Sequence, residues 1–63
     1  MKIIRKDTFN RDYISDILVA ENVPIYYAKL MVDFLNKKLG GDYAPDFYTI
    51  EKDDYKLYDM NNP

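Results

Sequence analysis

The segment between Pro24 and the pair Gly40-Gly41 constrains the fold most, because both of its ends carry strong helix signals. Proline suits the first turn of a helix, where its missing N–H would have no partner within the helix anyway. Two successive glycines end a helix, and Lys37 and Lys38 just before them suit the negative end of its dipole. The sequence therefore predicts a helix that runs from Pro24 to about Leu39.

This helix is more apolar than an ordinary surface helix. Its apolar residues span an arc of roughly 220°, whereas a surface helix needs an apolar stripe of about 100° or somewhat more. The arc is interrupted only by Lys38 and comprises Ile25, Tyr27, Ala28, Leu30, Met31, Val32, Phe34, Leu35 and Leu39. Three coverings are open: the rest of the chain, a second copy, or a different protein. We predict a homodimer, since two-fold dimers are the commonest oligomers. Its self-association residues would be Tyr27, Leu30, Met31, Phe34 and Leu35.

A shorter amphipathic pattern precedes this helix. Asn10 suits an N-cap, because its side chain can accept hydrogen bonds from the free amides of a first turn. The apolar residues that follow share one face of a helical wheel, and they are Tyr13, Ile14, Ile17, Leu18 and Ala20. Asn22 tolerates the left-handed conformation of a helix end. The sequence therefore predicts a first helix that begins at Asn10 and ends near Asn22.

The remaining ordered segments are predicted to be short strands. Residues 2–6, 47–50 and 55–58 are rich in apolar, β-branched or aromatic side chains. A short helix over residues 53–58 is the alternative for the last of them. We predict one α+β domain over residues 1–63, in which a helical hairpin packs on a short antiparallel sheet in the order β-α-α-β-β.

The chain contains no cysteine and no histidine, and this removes most catalytic and metal-binding chemistry. It offers no thiol nucleophile and no imidazole base, and Ser15 has only Asp12 and Asp16 as near neighbours. Carboxylates alone are a poor ligand set for zinc. We therefore expect no enzyme activity, no metal and no cofactor. A domain of this size is marginal alone, so association with a partner is the compensation that remains.

The sequence shows no signal for a membrane or for secretion. No apolar run approaches the roughly 18 residues that a membrane-spanning helix needs. The segment from Met1 to Lys6 is too short for the core of a signal peptide. We expect a cytoplasmic protein.

The C-terminal third is acidic and rich in tyrosine. Residues 42–63 hold six acidic residues against two lysines, whereas residues 1–41 hold seven basic residues against five acidic ones. Tyrosine is enriched at interaction hot spots, and neighbouring carboxylates favour a partner with a basic surface. The predicted partner-binding residues are Tyr43, Asp53, Asp54, Tyr55, Tyr58 and Asp59. The competing interpretation is that the tyrosines pack in strands and the aspartates solvate loops.

Nucleic acid is disfavoured as a partner, although the helical region has a partial helix-turn-helix rhythm. The run Ala28-Lys29-Leu30-Met31-Val32-Asp33-Phe34-Leu35 resembles the helical dimerisation half of DNA-bending proteins of the HU and IHF type. This resemblance covers about 30 residues and implies a helix-mediated dimer. The basic arms of that family are replaced by an acidic segment, and the net charge is −2 where a phosphate-binding protein needs a basic stripe.

The function that we expect is stoichiometric binding of another protein. Very short acidic chains without Cys or His, rich in Lys, Asp, Tyr and Asn, resemble small proteins of bacterial viruses that disable host machinery. The expected activity is thus that of a phage-type inhibitor, active in the host cytoplasm, that binds and blocks a defence or nucleic-acid-processing protein. The alternatives are a helix-turn-helix regulator that binds nucleic acid and a structural subunit that only forms homo-oligomers.

Overall fold

The strand at the start of the chain forms the centre of the molecule. The computed structural model describes residues 1–41 and 43–61. The elements in chain order are β1 (Lys2–Asp7), β2 (Ile17–Ala20), α1 (Ile25–Leu39) and β3 (Asp46–Glu51). One helix packs on a three-stranded antiparallel sheet, so the predicted α+β class is confirmed.

The sheet has the strand order β2-β1-β3, and both outer strands are antiparallel to β1. β2 and β3 therefore run in the same direction, and α1 connects them by crossing over the central strand. Ile3 pairs with Ala20 and with Ile50, whereas Ile4 pairs with Leu18, which leaves one extra residue as a bulge in β2. Such a bulge bends the strand and increases its local twist.

The predicted first helix is wrong, and with it the helical hairpin and the order β-α-α-β-β. The described chain has the order β-β-α-β, and residues 10–16 have no helix. Asn10 has a positive φ of 53°, which an N-cap does not adopt. The uninterrupted apolar run Ile17-Leu18-Val19 contains two β-branched residues and pairs with β1. The same residues fit one face of a helix, so the pairing with β1 decided between two possible structures.

The predicted second helix is confirmed with nearly the predicted limits. Pro24 is the N-cap, and Lys37 and Lys38 occupy the last turn. At the other end the Gly40 amide donates to the Asn36 carbonyl over 2.9 Å. A Cβ atom on Gly40 would overlap the same carbonyl oxygen, so this helix end requires glycine.

The predicted strand over residues 47–50 is confirmed as β3, but the predicted strand over residues 55–58 is wrong. Residues 52–61 contain neither a strand nor the alternative helix. This segment, which we call the C-terminal segment, runs back across the sheet. The Lys2 ammonium donates to the Tyr55 carbonyl over 3.2 Å, and the Tyr58 carbonyl accepts the Asp16 amide over 2.8 Å. Isolated hydrogen bonds of this kind hold the C-terminal segment, in place of the continuous backbone hydrogen bonds of a paired strand.

The core of the described residues is small. Only Ile3, Ile4 and Ala28 are fully buried among the hydrophobic residues. Ile3 and Ile4 are neighbours in β1 and therefore point to opposite faces of the sheet. Lys2 and Lys6 share the face of Ile4 and contact the C-terminal segment, so α1 covers the face of Ile3. The Cα atoms occupy 31 × 29 × 11 Å, a slab too thin to enclose a larger interior.

Candidate functional site

An apolar stripe on α1 faces away from the sheet. The side chains of this group, which we call the α1 stripe, are between 37% and 67% exposed, and they are Tyr26, Tyr27, Leu30, Met31 and Phe34. Their spacing of three and four residues places them along one side of the helix. Four of the five predicted self-association residues belong to this stripe. The fifth, Leu35, is half-buried on the side of Ala28, so it supports the sheet contact instead.

The rings of the α1 stripe are arranged against each other and against a lysine. Tyr26 and Tyr27 make an edge-to-face contact with ring centroids 5.3 Å apart. The Lys38 ammonium lies 5.9 Å from the centroid of the Phe34 ring. Contacts of this kind hold exposed rings in defined positions, which lowers the entropy that a partner would have to remove. Of the five residues in the α1 stripe, only Tyr26 lay outside the apolar arc that the helical wheel predicted.

Two of the predicted partner-binding tyrosines anchor the C-terminal segment instead of pointing to solvent. The Tyr55 hydroxyl donates to Asp16 Oδ2 over 2.6 Å, and the Tyr58 amide donates to the same oxygen over 2.9 Å. The Tyr58 hydroxyl donates to the carbonyl of Asp12. Burial raises the pKa of Tyr55, and its hydrogen bond to the Asp16 carboxylate raises it further. Asp16 therefore fixes the position of the segment by accepting from two of its residues.

The other predicted partner-binding residues do not form one surface. The Asp53 carboxylate lies 2.9 Å from the terminal amine of Met1, and Asp54 beside it is exposed. Asp59 accepts the Asn61 amide over 2.9 Å near the far end of the segment. Tyr43, at 94% exposure, follows α1 and precedes β3, so it lies at the opposite end of β3 from Asp53. Asp53, Asp54 and Asp59 are exposed along the C-terminal segment, which also exposes Lys52 and Lys56.

A cavity of about 270 Å³ lies between the C-terminal segment and the turn after β1. It is lined by Lys6, Asp7, Asn10, Arg11, Asp12, Ile14, Asp16, Phe47, Tyr55 and Tyr58. Sequence reasoning did not identify this cavity, because residues 10–16 were assigned to a helix. The spacing of Asp7 and Arg11, four residues apart with opposite charge, could have indicated their contact.

The two cations of the cavity, Lys6 and Arg11, are each paired with a carboxylate. Arg11 Nη2 and Nε donate to the two carboxylate oxygens of Asp7 over 2.6 and 2.9 Å. These hydrogen bonds lower the pKa of Asp7 to about 2 and raise that of Arg11. The Lys6 ammonium bonds Glu51 Oε2 over 2.7 Å, which raises the pKa of Lys6 and lowers that of Glu51.

The Asp7–Arg11 pair closes the turn after β1, and the Lys6–Glu51 pair joins β1 to β3. An acid or base works best when its pKa lies near the operating pH, whereas the pairing drives these pKa values away from neutrality. Ser15 Oγ accepts the Met60 amide over 3.0 Å. Within residues 1–41 and 43–61, no group of three or more carboxylates is arranged to hold a metal ion.

Two further findings bear on the function. In the part of the chain that the structure describes, no helix has both the length and the apolar character to cross a membrane. In comparisons with family models, curated proteins and solved structures, nothing significantly matches this chain.

Proposed function

We propose that this chain is a non-catalytic protein-binding module, which self-associates through α1 and blocks a host protein in the manner of a small phage inhibitor. The observation that carries the proposal is the balance between buried and exposed apolar side chains. Three hydrophobic residues are buried among those described, whereas fifteen large hydrophobic side chains are exposed. Five of the exposed side chains form the contiguous α1 stripe, and an apolar patch of this kind is often an interaction site.

The area of the α1 stripe supports a second copy as its covering. An aromatic side chain buries about 150–250 Å² when fully covered, so three half-exposed rings with Leu30 and Met31 offer on the order of 500 Å². Two such stripes facing each other would bury about 1,000 Å² in total, which is close to the lower limit for a specific interface. A two-fold dimer uses the same patch on both copies and needs no other surface.

Charge supports a basic surface on the blocked protein. Asp53, Asp54 and Asp59 are exposed on the C-terminal segment, on the sheet face opposite α1, and they outnumber the exposed Lys52 and Lys56 of the same segment. Carboxylates at the rim of an interface increase the association rate with a basic partner and suppress acidic ones. A dimer through α1 leaves this segment free in both copies, so the two surfaces serve different partners.

The self-association is tested by measuring molar mass with light scattering over a dilution series. We expect the wild type at twice the chain mass of 7.5 kDa and the Tyr27→Asp variant at the chain mass. An acidic residue in the first turn of a helix is favourable, so this substitution should not unfold α1. The matched control is Tyr43→Asp, which alters an exposed tyrosine away from the stripe and should remain a dimer. A wild type that stays monomeric at all concentrations contradicts the dimer.

The inhibitor function is tested by affinity capture from a bacterial host extract. We expect a specific captured protein with the wild type, its loss with the double variant Asp53→Lys/Asp54→Lys, and its retention with Asp33→Lys, which reverses an exposed charge on α1. A structural subunit is the second candidate, because the α1 stripe alone supports it. That candidate predicts a dimer from which no specific protein is captured.

The helix-turn-helix alternative requires a first helix that the described residues do not form. Its first helix was predicted over residues 10–22, and the described residues of that range contain a turn and β2 instead. We therefore rank nucleic-acid binding below both protein-binding functions.

A further inference from the structure

The helix side that carries the α1 stripe ends in two lysines. Lys37 and Lys38 follow Phe34 by three and four residues, so they continue the line of the stripe into the last turn of α1. Both side chains are exposed. Asp33 pairs with Lys37 over 3.0 Å and offsets part of its charge, whereas Lys38 makes no ion pair among the described residues. This end of the stripe is therefore basic.

The other end of the stripe carries the opposite charge. The sequence between Asn22 and Ala28 contains no charged residue, and the first charge before it is Glu21. The Glu21 side chain is exposed and makes no ion pair in the part of the chain that the structure describes. The stripe therefore lies between an acidic position before α1 and a basic last turn.

A two-fold dimer through one helix can place the two copies of α1 parallel or antiparallel, and the charges separate these arrangements. In a parallel pair, Lys38 of one copy would lie beside Lys38 of the other, and like charges side by side at an interface are costly. In an antiparallel pair centred on Leu30, the two Lys38 residues are about 24 Å apart along the helix axis, at 1.5 Å per residue. This separation exceeds the Debye length of about 8 Å at physiological salt, so their repulsion is screened.

The apolar residues of the stripe fit the antiparallel arrangement as well. Tyr26 precedes Leu30 by four residues and Phe34 follows it by four, and these three side chains are between 55% and 67% exposed. A two-fold axis at Leu30 therefore places Tyr26 of each copy opposite Phe34 of the other. The same rotation brings Lys38 beside Glu21 of the second copy, so opposite charges meet at both ends of the interface.

We propose that two copies of α1 pack antiparallel about a two-fold axis at Leu30, with Tyr26 of each copy against Phe34 of the other and Lys38 of each copy beside Glu21 of the other. The inference rests on the proposed self-association, and it names the arrangement of the second copy on the α1 stripe. An aromatic pair closes each end of this interface and a leucine pair forms its centre. Helices that pack along their length in this way cross at an angle of about 20°.

Disulfide cross-linking tests the arrangement directly, because the chain contains no cysteine of its own. The variants Tyr26→Cys and Phe34→Cys are oxidised separately and as an equimolar mixture, and the products are separated on a non-reducing gel. In the antiparallel pair, equivalent positions are about 12 Å apart along the axis, beyond the roughly 7 Å between Cα atoms that a disulfide bridges. We expect a covalent dimer from the mixture and none from either variant alone. Tyr43→Cys, at an exposed position away from the stripe, measures cross-linking by random collision.

A second measurement leaves the stripe intact and depends on the sign of a charge effect. Lys38→Gln removes the attraction to Glu21 in the antiparallel pair, so we expect the dissociation constant of the dimer to rise by about two- to fivefold. In a parallel pair the same substitution removes a repulsion and would lower that constant. Lys29→Gln makes the same change of net charge on the flank of α1 and should leave the constant nearly unchanged. Sedimentation equilibrium measures all of these constants.

Glu21 provides the reciprocal test of the same contact. Glu21→Gln should weaken the dimer as much as Lys38→Gln does. The double variant should be no weaker than either single one, because each substitution removes the same interaction. Additive effects of the two substitutions would show that Glu21 and Lys38 do not meet across the interface, and this overturns the antiparallel arrangement.

Failure of this arrangement is distinguishable from failure of self-association. A wild type that is monomeric in light scattering overturns both. With a dimeric wild type, only the antiparallel arrangement is overturned if Tyr26→Cys and Phe34→Cys each cross-link to themselves, or if Lys38→Gln strengthens the dimer. If the cysteine variants are monomeric when reduced, the sign of the Lys38→Gln effect decides, because that variant retains every residue of the stripe.

Discussion

Asp7 shows how much of this fold depends on single side chains. Its carboxylate accepts the Arg11 amide over 2.7 Å as well as two hydrogen bonds from the Arg11 guanidinium. The side chain of Asp7 is only 5% exposed, whereas that of Arg11 is 35% exposed. These contacts close the turn after β1 and direct the chain toward β2. They stabilise a turn where the sequence pattern alone predicted the start of a helix.

The substitution Asp7→Asn should lower the urea midpoint of unfolding at pH 7. The folded-state pKa of Asp7 is about 2, below its ordinary value of 3.8. Its stabilising contribution is therefore complete above about pH 4 and is lost as the pH falls toward 2. We expect the midpoints of variant and wild type, followed by circular dichroism, to converge over that range. The control Asp33→Asn removes an exposed pair with Lys37 and should change the midpoint little at any pH.

The substitution Tyr55→Phe should destabilise the fold by about 1 kcal/mol, since it removes a hydrogen bond to a carboxylate while keeping the ring. The ring also carries the Lys6 ammonium 4.7 Å from its centroid, and this contact is retained. Denaturant unfolding measures the difference. Tyr43→Phe removes the hydroxyl of a fully exposed tyrosine and should stay within about 0.5 kcal/mol of the wild type. Equal effects of both variants would show that the Tyr55 hydroxyl has no structural role.

Among the elements, α1 and β3 are joined by two hydrogen bonds of the Asn36 side chain. The substitution Asn36→Ala leaves the Tyr48 amide and carbonyl without partners, and we expect a loss of about 2 kcal/mol in the free energy of unfolding. Asn36→Asp keeps an acceptor for the amide and should fall between alanine and the wild type. Hydrogen exchange of the Tyr48 amide provides the local measurement. If exchange of this amide is as slow in Asn36→Ala as in the wild type, Asn36 does not cap the edge.

The elements also show where sequence reasoning succeeded. α1 was predictable because Pro24 and Gly40 act locally, through the geometry of their own backbone. β1 and β3 were predictable from short apolar runs. β2 was not, since Ile17-Leu18-Val19 suits a helix face as well as a strand, and only pairing with β1 distinguishes the two. The predicted strand over 55–58 failed because Tyr55 and Tyr58 form specific hydrogen bonds to Asp16 that no periodic pattern reveals.

The two candidate surfaces also differ in how well the sequence predicted them. The α1 stripe followed from the wheel, because a helix fixes the relative directions of its side chains whatever it packs against. The acidic tyrosine surface did not survive as a single patch, because its members are separated along the chain by a strand and an irregular segment. Composition located Tyr43 and Asp53 in the same third of the sequence, but the antiparallel course of β3 places them at opposite ends of the sheet.

For the whole molecule, the small core and the α1 stripe together determine how stability should depend on concentration. A chain that buries few side chains by itself gains stability when a second copy covers the stripe, so the folded dimer is favoured by mass action. A tenfold increase in protein concentration contributes about 1.4 kcal/mol per dimer, or about 0.7 kcal/mol per chain. For a domain of this size, this corresponds to a rise of about 3–6 °C in Tm.

We therefore expect the Tm of the wild type to increase with protein concentration, whereas the Tm of Tyr27→Asp should be lower and independent of concentration. Differential scanning calorimetry over a hundredfold range of concentration measures both, with Tyr43→Asp as the variant that should behave like the wild type. A wild-type Tm that does not change with concentration would mean that the monomer is stable with its stripe exposed. In that case α1 would be free to bind the blocked protein.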